Sequence, residues 1–113
     1  MSIRIVVSDR VRVPVDGFLF DENGKRQNFS FTVTARRMST DELSDLLADS
    51  EKQLTQFLQE IITDWAGVDD EDGTELAYSS DALGRLLAIP GLPNLIFAAW
   101  LACVGAKDAK AKN

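Results

Sequence analysis

The stretch DWAGVDDEDG, Asp64 to Gly73, gathers five carboxylates around one tryptophan and two glycines, a composition suited to holding a hard cation through oxygen ligands. A calcium loop of the EF-hand kind needs Asp first, Asp or Asn third and fifth, Gly sixth and a bidentate Glu twelfth. Aligning Gly73 to that glycine fits Asp70 and Asp72 but leaves Val68 first and Ser79 twelfth. The turn Asp21-Glu22-Asn23-Gly24 fails in the same way, because Leu19 takes the first position. Both stretches read as solvated turns, and no metal or other cofactor is expected.

Catalytic templates fare no better. The chain has no histidine, which removes the commonest general base and transition-metal ligand. Its one cysteine, Cys103, lies among Ala, Leu and Val, where a thiol behaves as a small hydrophobe and no intrachain disulfide can form. Neither a phosphate-binding glycine loop nor a nucleophile elbow is present. A binding protein is expected, not an enzyme.

The composition is that of a globular protein: 113 residues, 45% hydrophobic and 27% charged, with a net charge of -6. That acidity argues against nucleic acid as the main ligand, since phosphate binding needs a basic footprint. The charge is also blocked. Residues 1 to 37 carry seven bases and four acids, residues 38 to 81 one base and thirteen acids, and residues 82 to 113 four bases and one acid. Such blocks can remain solvated faces, steer a basic partner to the middle segment, or let the ends of one copy meet the middle of another, so a homo-oligomer is possible. MSIRIVVSDR lacks the apolar run of a signal peptide, and no apolar stretch reaches the roughly 20 residues that span a bilayer. A cytoplasmic location without membrane contact follows as the expectation.

The elements that would position these residues begin with a strand over Ile3–Val15, with Pro14 near an edge. Asn23-Gly24, between two apolar runs, predicts a tight hairpin turn with positive φ at both residues. In the returning strand Phe29, Phe31, Val33 and Ala35 share one face. Ser39-Thr40-Asp41-Glu42 is a capping box opening a long helix, whose apolar stripe runs from Leu43 through Leu54, Phe57, Leu58, Ile61 and Ile62 to Trp65. Ser50 interrupts the stripe, and Gly67 stops the helix. LAY forms a short strand, Ser79-Ser80-Asp81 caps a second helix over ALGRLLAI, and a third runs from about Pro93 to Val104. The fold class is α+β: an N-terminal antiparallel hairpin or small sheet packed on a long helix, then two shorter helices. Residues 1–106 form one domain and 107–113 a disordered lysine-rich tail.

The last helix is apolar on almost every side, so it must be enclosed either by its own fold or by a partner. Ile96, Trp100 and Cys103 form one stripe and Phe97, Leu101 and Val104 another. The candidate partner-binding residues are Leu92, Leu95, Ile96, Ala99, Trp100 and Cys103.

The succession of a hairpin ending in FTVTARR, a helix ending in ITDWAGVDDEDGTELAYSSDALGRLLAIPG and an apolar final helix resembles the tail assembly chaperones of long-tailed, siphovirus-like bacteriophages and prophages. The resemblance is densest over Asp64 to Gly91. It implies a small α+β protein made during tail morphogenesis and missing from the finished virion. Such proteins coat the tape measure protein, an extended and largely helical chain, and help recruit tail tube protein. Many also exist as a longer frameshifted product, of which this chain would be the short form. The alternative is a structural minor tail or tail-completion protein that stays in the particle.

Overall fold

The computed structural model describes residues 9–48, 53–70 and 72–105. Within them a three-stranded antiparallel sheet, in the order β1-β2-β3, carries helices on one face only. The class is α+β.

Strands β1 (Arg10–Phe20) and β2 (Arg26–Arg36) pair in unbroken register from Arg10 opposite Arg36 to Phe20 opposite Arg26. The hairpin is as expected, and Phe31, Val33 and Ala35 are buried with Phe29 half-buried, while Ser30 and Arg36 stay exposed. Residues 3–8 of the expected first strand lie outside the described residues; beyond them β1 runs past Val15 to Phe20. Pro14 interrupts nothing. Arg37 N donates to Asp9 O at one end of the hairpin (2.7 Å) and Asp21 N to Lys25 O at the other (2.9 Å). Hydrogen-bonded pairs alternate along an antiparallel ladder, so the odd-numbered residues of β1 face β2 and the nitrogen of Pro14 faces the outer edge.

The turn differs from the tight Asn-Gly form. Only Gly24 takes positive φ (+75°), and no non-glycine residue among those described does. The Asp21 side chain explains the difference: one carboxylate oxygen accepts from Asn23 N (2.9 Å) and Lys25 N (2.8 Å), the other from Gln27 Nε2 (3.0 Å). With the loop amides satisfied this way, one left-handed residue closes a longer connection. These bonds, led by that from Lys25, hold the Asp21 carboxyl below its ordinary value, and the bonds from Ser39 do the same for Glu42. A depressed carboxylate pKa contributes stability above the unfolded value and loses it as pH falls. Stability should therefore drop as pH is lowered through about 4, and the Asp21→Asn, Glu42→Gln double variant should show a shallower decline in urea melts across that range.

Helix α1 (Thr40–Ala48) starts with the expected box: Glu42 N donates to Ser39 Oγ (3.2 Å) and Ser39 N to Glu42 Oε1 (3.1 Å). The expected long helix does not follow. Helix α2 is short, Leu54–Ile61, and residues 49–52, with the Ser50 interruption, lie outside the described residues. The run Ile62–Ala66 is strand β3, paired with β2. Its register slips between Thr34 opposite Asp64 and Ala35 opposite Ile62, leaving Thr63 as the extra residue, with its hydroxyl donating to Thr34 O (3.3 Å). That bulge lets Ile62 and Trp65, three apart, both face inward, so a strand carries the spacing of a helical stripe.

LAY is not a strand either: Asp69 bridges Glu75, and Leu76 N donates to Val68 O (2.8 Å). Helices α3 (Ser80–Leu87) and α4 (Leu92–Val104) fall where expected, with Ser79 Oγ accepting from Ala82 N (3.0 Å) and Pro93 in the first turn of α4. Helix α4 packs on β1, α2 and α3, and the core between sheet and helices includes Val13, Val33, Leu58, Ile61, Leu83, Ile96 and Trp100.

Candidate functional site

The six candidate residues of the last helix do not form an open face. Ile96 and Trp100 are 0% exposed and Leu92 is 4% exposed, one above the other on the side of α4 turned to the core. Trp100 Nε1 donates to Arg36 O (2.9 Å), and its ring meets Phe57 edge-on at 5.3 Å and stacks on Phe97 at 5.9 Å. Leu95, Ala99 and Cys103 are half-buried. Leu95 closes over Gly17, where a Cβ would lie 2.7 Å from Leu95 Cδ2 and 2.7 Å from Phe29 Cζ. The side of this apolar helix that carries Leu92, Ile96 and Trp100 is thus taken up by its own fold, and the other three candidates stay partly exposed.

Apolar surface is left elsewhere. Among the described residues, the large hydrophobics still exposed are Phe18 (45%), Leu19 (39%), Phe20 (66%) and Leu47 (63%). Three of them end β1, beside the Asp21 turn. Phe18 and Phe20 meet edge-on at 5.6 Å on the bare face of the sheet, and the Arg26 guanidinium carbon sits 4.0 Å above the Phe18 ring while Arg26 Nε donates to Asn28 Oδ1 (3.0 Å). Leu19 points to the helical side. There it borders a groove of about 180 Å³ with Phe29, Phe31, Val68, Leu86, Ile89 and Leu92, and with Asp69 on the rim. A second hollow shares Val68, Asp69, Leu86 and Ile89 and adds Asp70 and Arg85. The apolar floor is thus continuous from Leu19 to the Asp70 turn, with Asp69, Asp70 and Arg85 along it.

That turn repeats the geometry of the Asp21 turn. Asp70 N donates to Thr74 O (2.8 Å), Gly73 N to Asp70 O (3.0 Å), and Asp70 Oδ1 accepts from Asp72 N (2.9 Å) and Thr74 N (3.1 Å), with Gly73 at φ +79°. Asp70, third in the aligned calcium loop, thus turns its Oδ1 to backbone amides of its own turn. No three metal-ligating side chains converge among the described residues. Trp65 anchors the loop beyond: its Nε1 donates to Leu76 O (2.8 Å), its ring meets Tyr78 edge-on at 5.4 Å, and the Tyr78 hydroxyl donates to Ile62 O (2.9 Å). Burial, then the nearby Asp64, raises the Tyr78 pKa and keeps that hydroxyl protonated.

The hairpin tip was legible only as a departure from alternation. Phe18-Leu19-Phe20 is apolar on both faces of a strand, immediately before a turn, where a half-buried strand would alternate.

No match was found among curated proteins or among solved structures. Residues 21–112, from the hairpin turn through the acidic loop and α4, match the family described as YdaY prophage protein, and the chain belongs to that family.

Proposed function

We propose that this prophage protein is a non-catalytic tail assembly chaperone, binding the tape measure protein in the host cytoplasm and helping tail tube protein to assemble on it. The observation that carries the reading is the apolar hairpin tip, with Phe18 and Phe20 on the bare face of the sheet and Leu19 bordering the groove on the other, held in a strongly acidic molecule. A chaperone for an apolar chain needs such surface together with charge that keeps it soluble. Prophage family membership and the DWAGVDDEDG pattern point the same way. The contact surface is assigned to the hairpin tip and groove; of the earlier six residues only Leu92 reaches that groove.

Co-expression with the tape measure protein of the same prophage tests this. The chain should keep that protein soluble and co-purify with it, and Phe18→Ser with Phe20→Ser should abolish capture while the circular dichroism spectrum and urea midpoint stay near those of the parent. Mass spectrometry of purified virions should not find the chain. Its presence there in stoichiometric amount would instead favour a structural tail component.

A further inference from the structure

The two outer edges of the sheet are treated differently. On β1 the outward-facing backbone belongs to even-numbered residues, and there Pro14 removes a donor while Arg10, Arg12 and Asp16 place charges along the edge, devices that discourage another strand from pairing. On β2, strand β3 covers only Thr32 to Ala35. Beyond Ala66 the chain turns off at Gly67, whose φ of +84° favours glycine. From Arg26 to Ser30, about 17 Å of strand, no described strand pairs with β2 on that side. The hydrogen-bonded pairs with β1 fall on odd residues, so the N–H and C=O groups of Arg26 and Asn28 point to the open edge. This edge carries no proline, and the apolar groove runs directly beneath it, with Phe29 and Phe31 in its wall and Asp69 at its rim.

We propose that the groove is filled by an extended segment of the tape measure protein, which adds as a fourth strand beside Arg26–Ser30. Alternate side chains of the segment drop between Phe29, Val68, Leu86 and Ile89, and a lysine or arginine in it meets Asp69. Main-chain bonds along the edge hold the segment, and the groove selects apolar residues at every second position. Asp69 supplies the charge preference, since it stands on the rim beside Gly67, where the added strand would pass. The inference rests on the proposed role as binder of the tape measure protein.

Labelled peptides of about fifteen residues tiling the tape measure protein, longer than the open edge requires, are titrated into the full chain. Peptides that bind should alternate apolar residues next to a basic one, and Asn28→Pro, which removes a donor from the open edge only, should weaken them roughly ten-fold. Asp69→Lys should weaken the same peptides and shift preference to acidic ones. Backbone N-methylation of the best peptide needs no protein variant: methylation at one parity of positions should abolish binding and at the other leave it nearly intact. Loss at both parities, or a helical bound peptide, overturns strand addition. So does a dimer of the chain that Asn28→Pro dissociates, because a second copy then owns the edge. Co-purification of intact tape measure protein undiminished by Asn28→Pro and Asp69→Lys overturns this inference and leaves the chaperone role standing; failure of the parent chain to capture tape measure protein at all removes both.

Discussion

Trp100→Ala is expected to cost about 3 to 5 kcal/mol, the range for removing a large aromatic side chain from a well-packed core. Trp100 is 0% exposed, stands between Phe57 and Phe97, and ties α4 to the end of β2 through its bond to Arg36 O. A domain of this size has roughly 5 to 15 kcal/mol in total, so the variant should be largely unfolded at modest urea. Trp100→Phe retains part of the ring but leaves the Arg36 carbonyl without its donor, for a smaller loss of about 1 to 3 kcal/mol. A cycle with Phe57→Ala should return an aromatic coupling of about 0.5 to 1.5 kcal/mol. Urea melts followed by circular dichroism measure all three. A loss under about 1 kcal/mol for Trp100→Ala would mean that α4 is not held by this fold, and the stripe Leu92, Ile96 and Trp100 would return as a partner surface.

The parts legible in the sequence are those whose physics is local. Alternation in Phe29, Phe31, Val33 and Ala35 located the inner face of β2, because residues two apart on a regular strand share a side whatever packs on it. The Ser39–Glu42 and Ser79 caps located two helix starts, because a capping side chain bonds to amides within three residues of itself. Where the outcome depended on distant chain, the sequence misled. Ile61, Ile62 and Trp65 continue a helical stripe only because Thr63 bulges out of β3, and that bulge exists only in the presence of β2. The branched run Ile61-Ile62-Thr63 was the available hint, favouring strand over helix. Whether α4 was covered by its own fold was likewise a question about β1 and α2, not about α4.

The candidate site was harder to see for the same reason. Of its acidic stretch only Asp69 reaches the rim, while its floor comes from β2, Gly67 and Val68, α3 and the start of α4. Each of those segments is unremarkable alone, and the groove exists because β3 stops pairing at Ala66 while β2 continues to Arg26. The similar Asp21 and Asp70 turns show how acidic loops with the look of chemistry can serve shape: each carboxylate caps its own loop.

Trp65→Ala should lower stability by about 3 kcal/mol or more, and it separates the strand from the helix end that periodicity alone suggests. At the end of a helix, Trp65 would contribute packing only, and Trp65→Phe would be nearly neutral. In β3 its Nε1 donates to Leu76 O and its ring braces Tyr78, whose hydroxyl returns to Ile62 O, so strand and following loop are closed on each other by two side-chain bonds. Trp65→Phe then strands the Leu76 carbonyl, for about 1 to 3 kcal/mol in urea melts, and a change below about 0.5 kcal/mol would contradict the strand. The same closure sets the position of Val68 and Asp69, because Leu76 N also bonds to Val68 O. Loosening it should widen the groove, so Trp65→Phe should weaken tape measure peptide binding at temperatures where the variant is still fully folded. Trp65 therefore supports the groove from behind, as a positioning residue for the wall that a bound segment would meet.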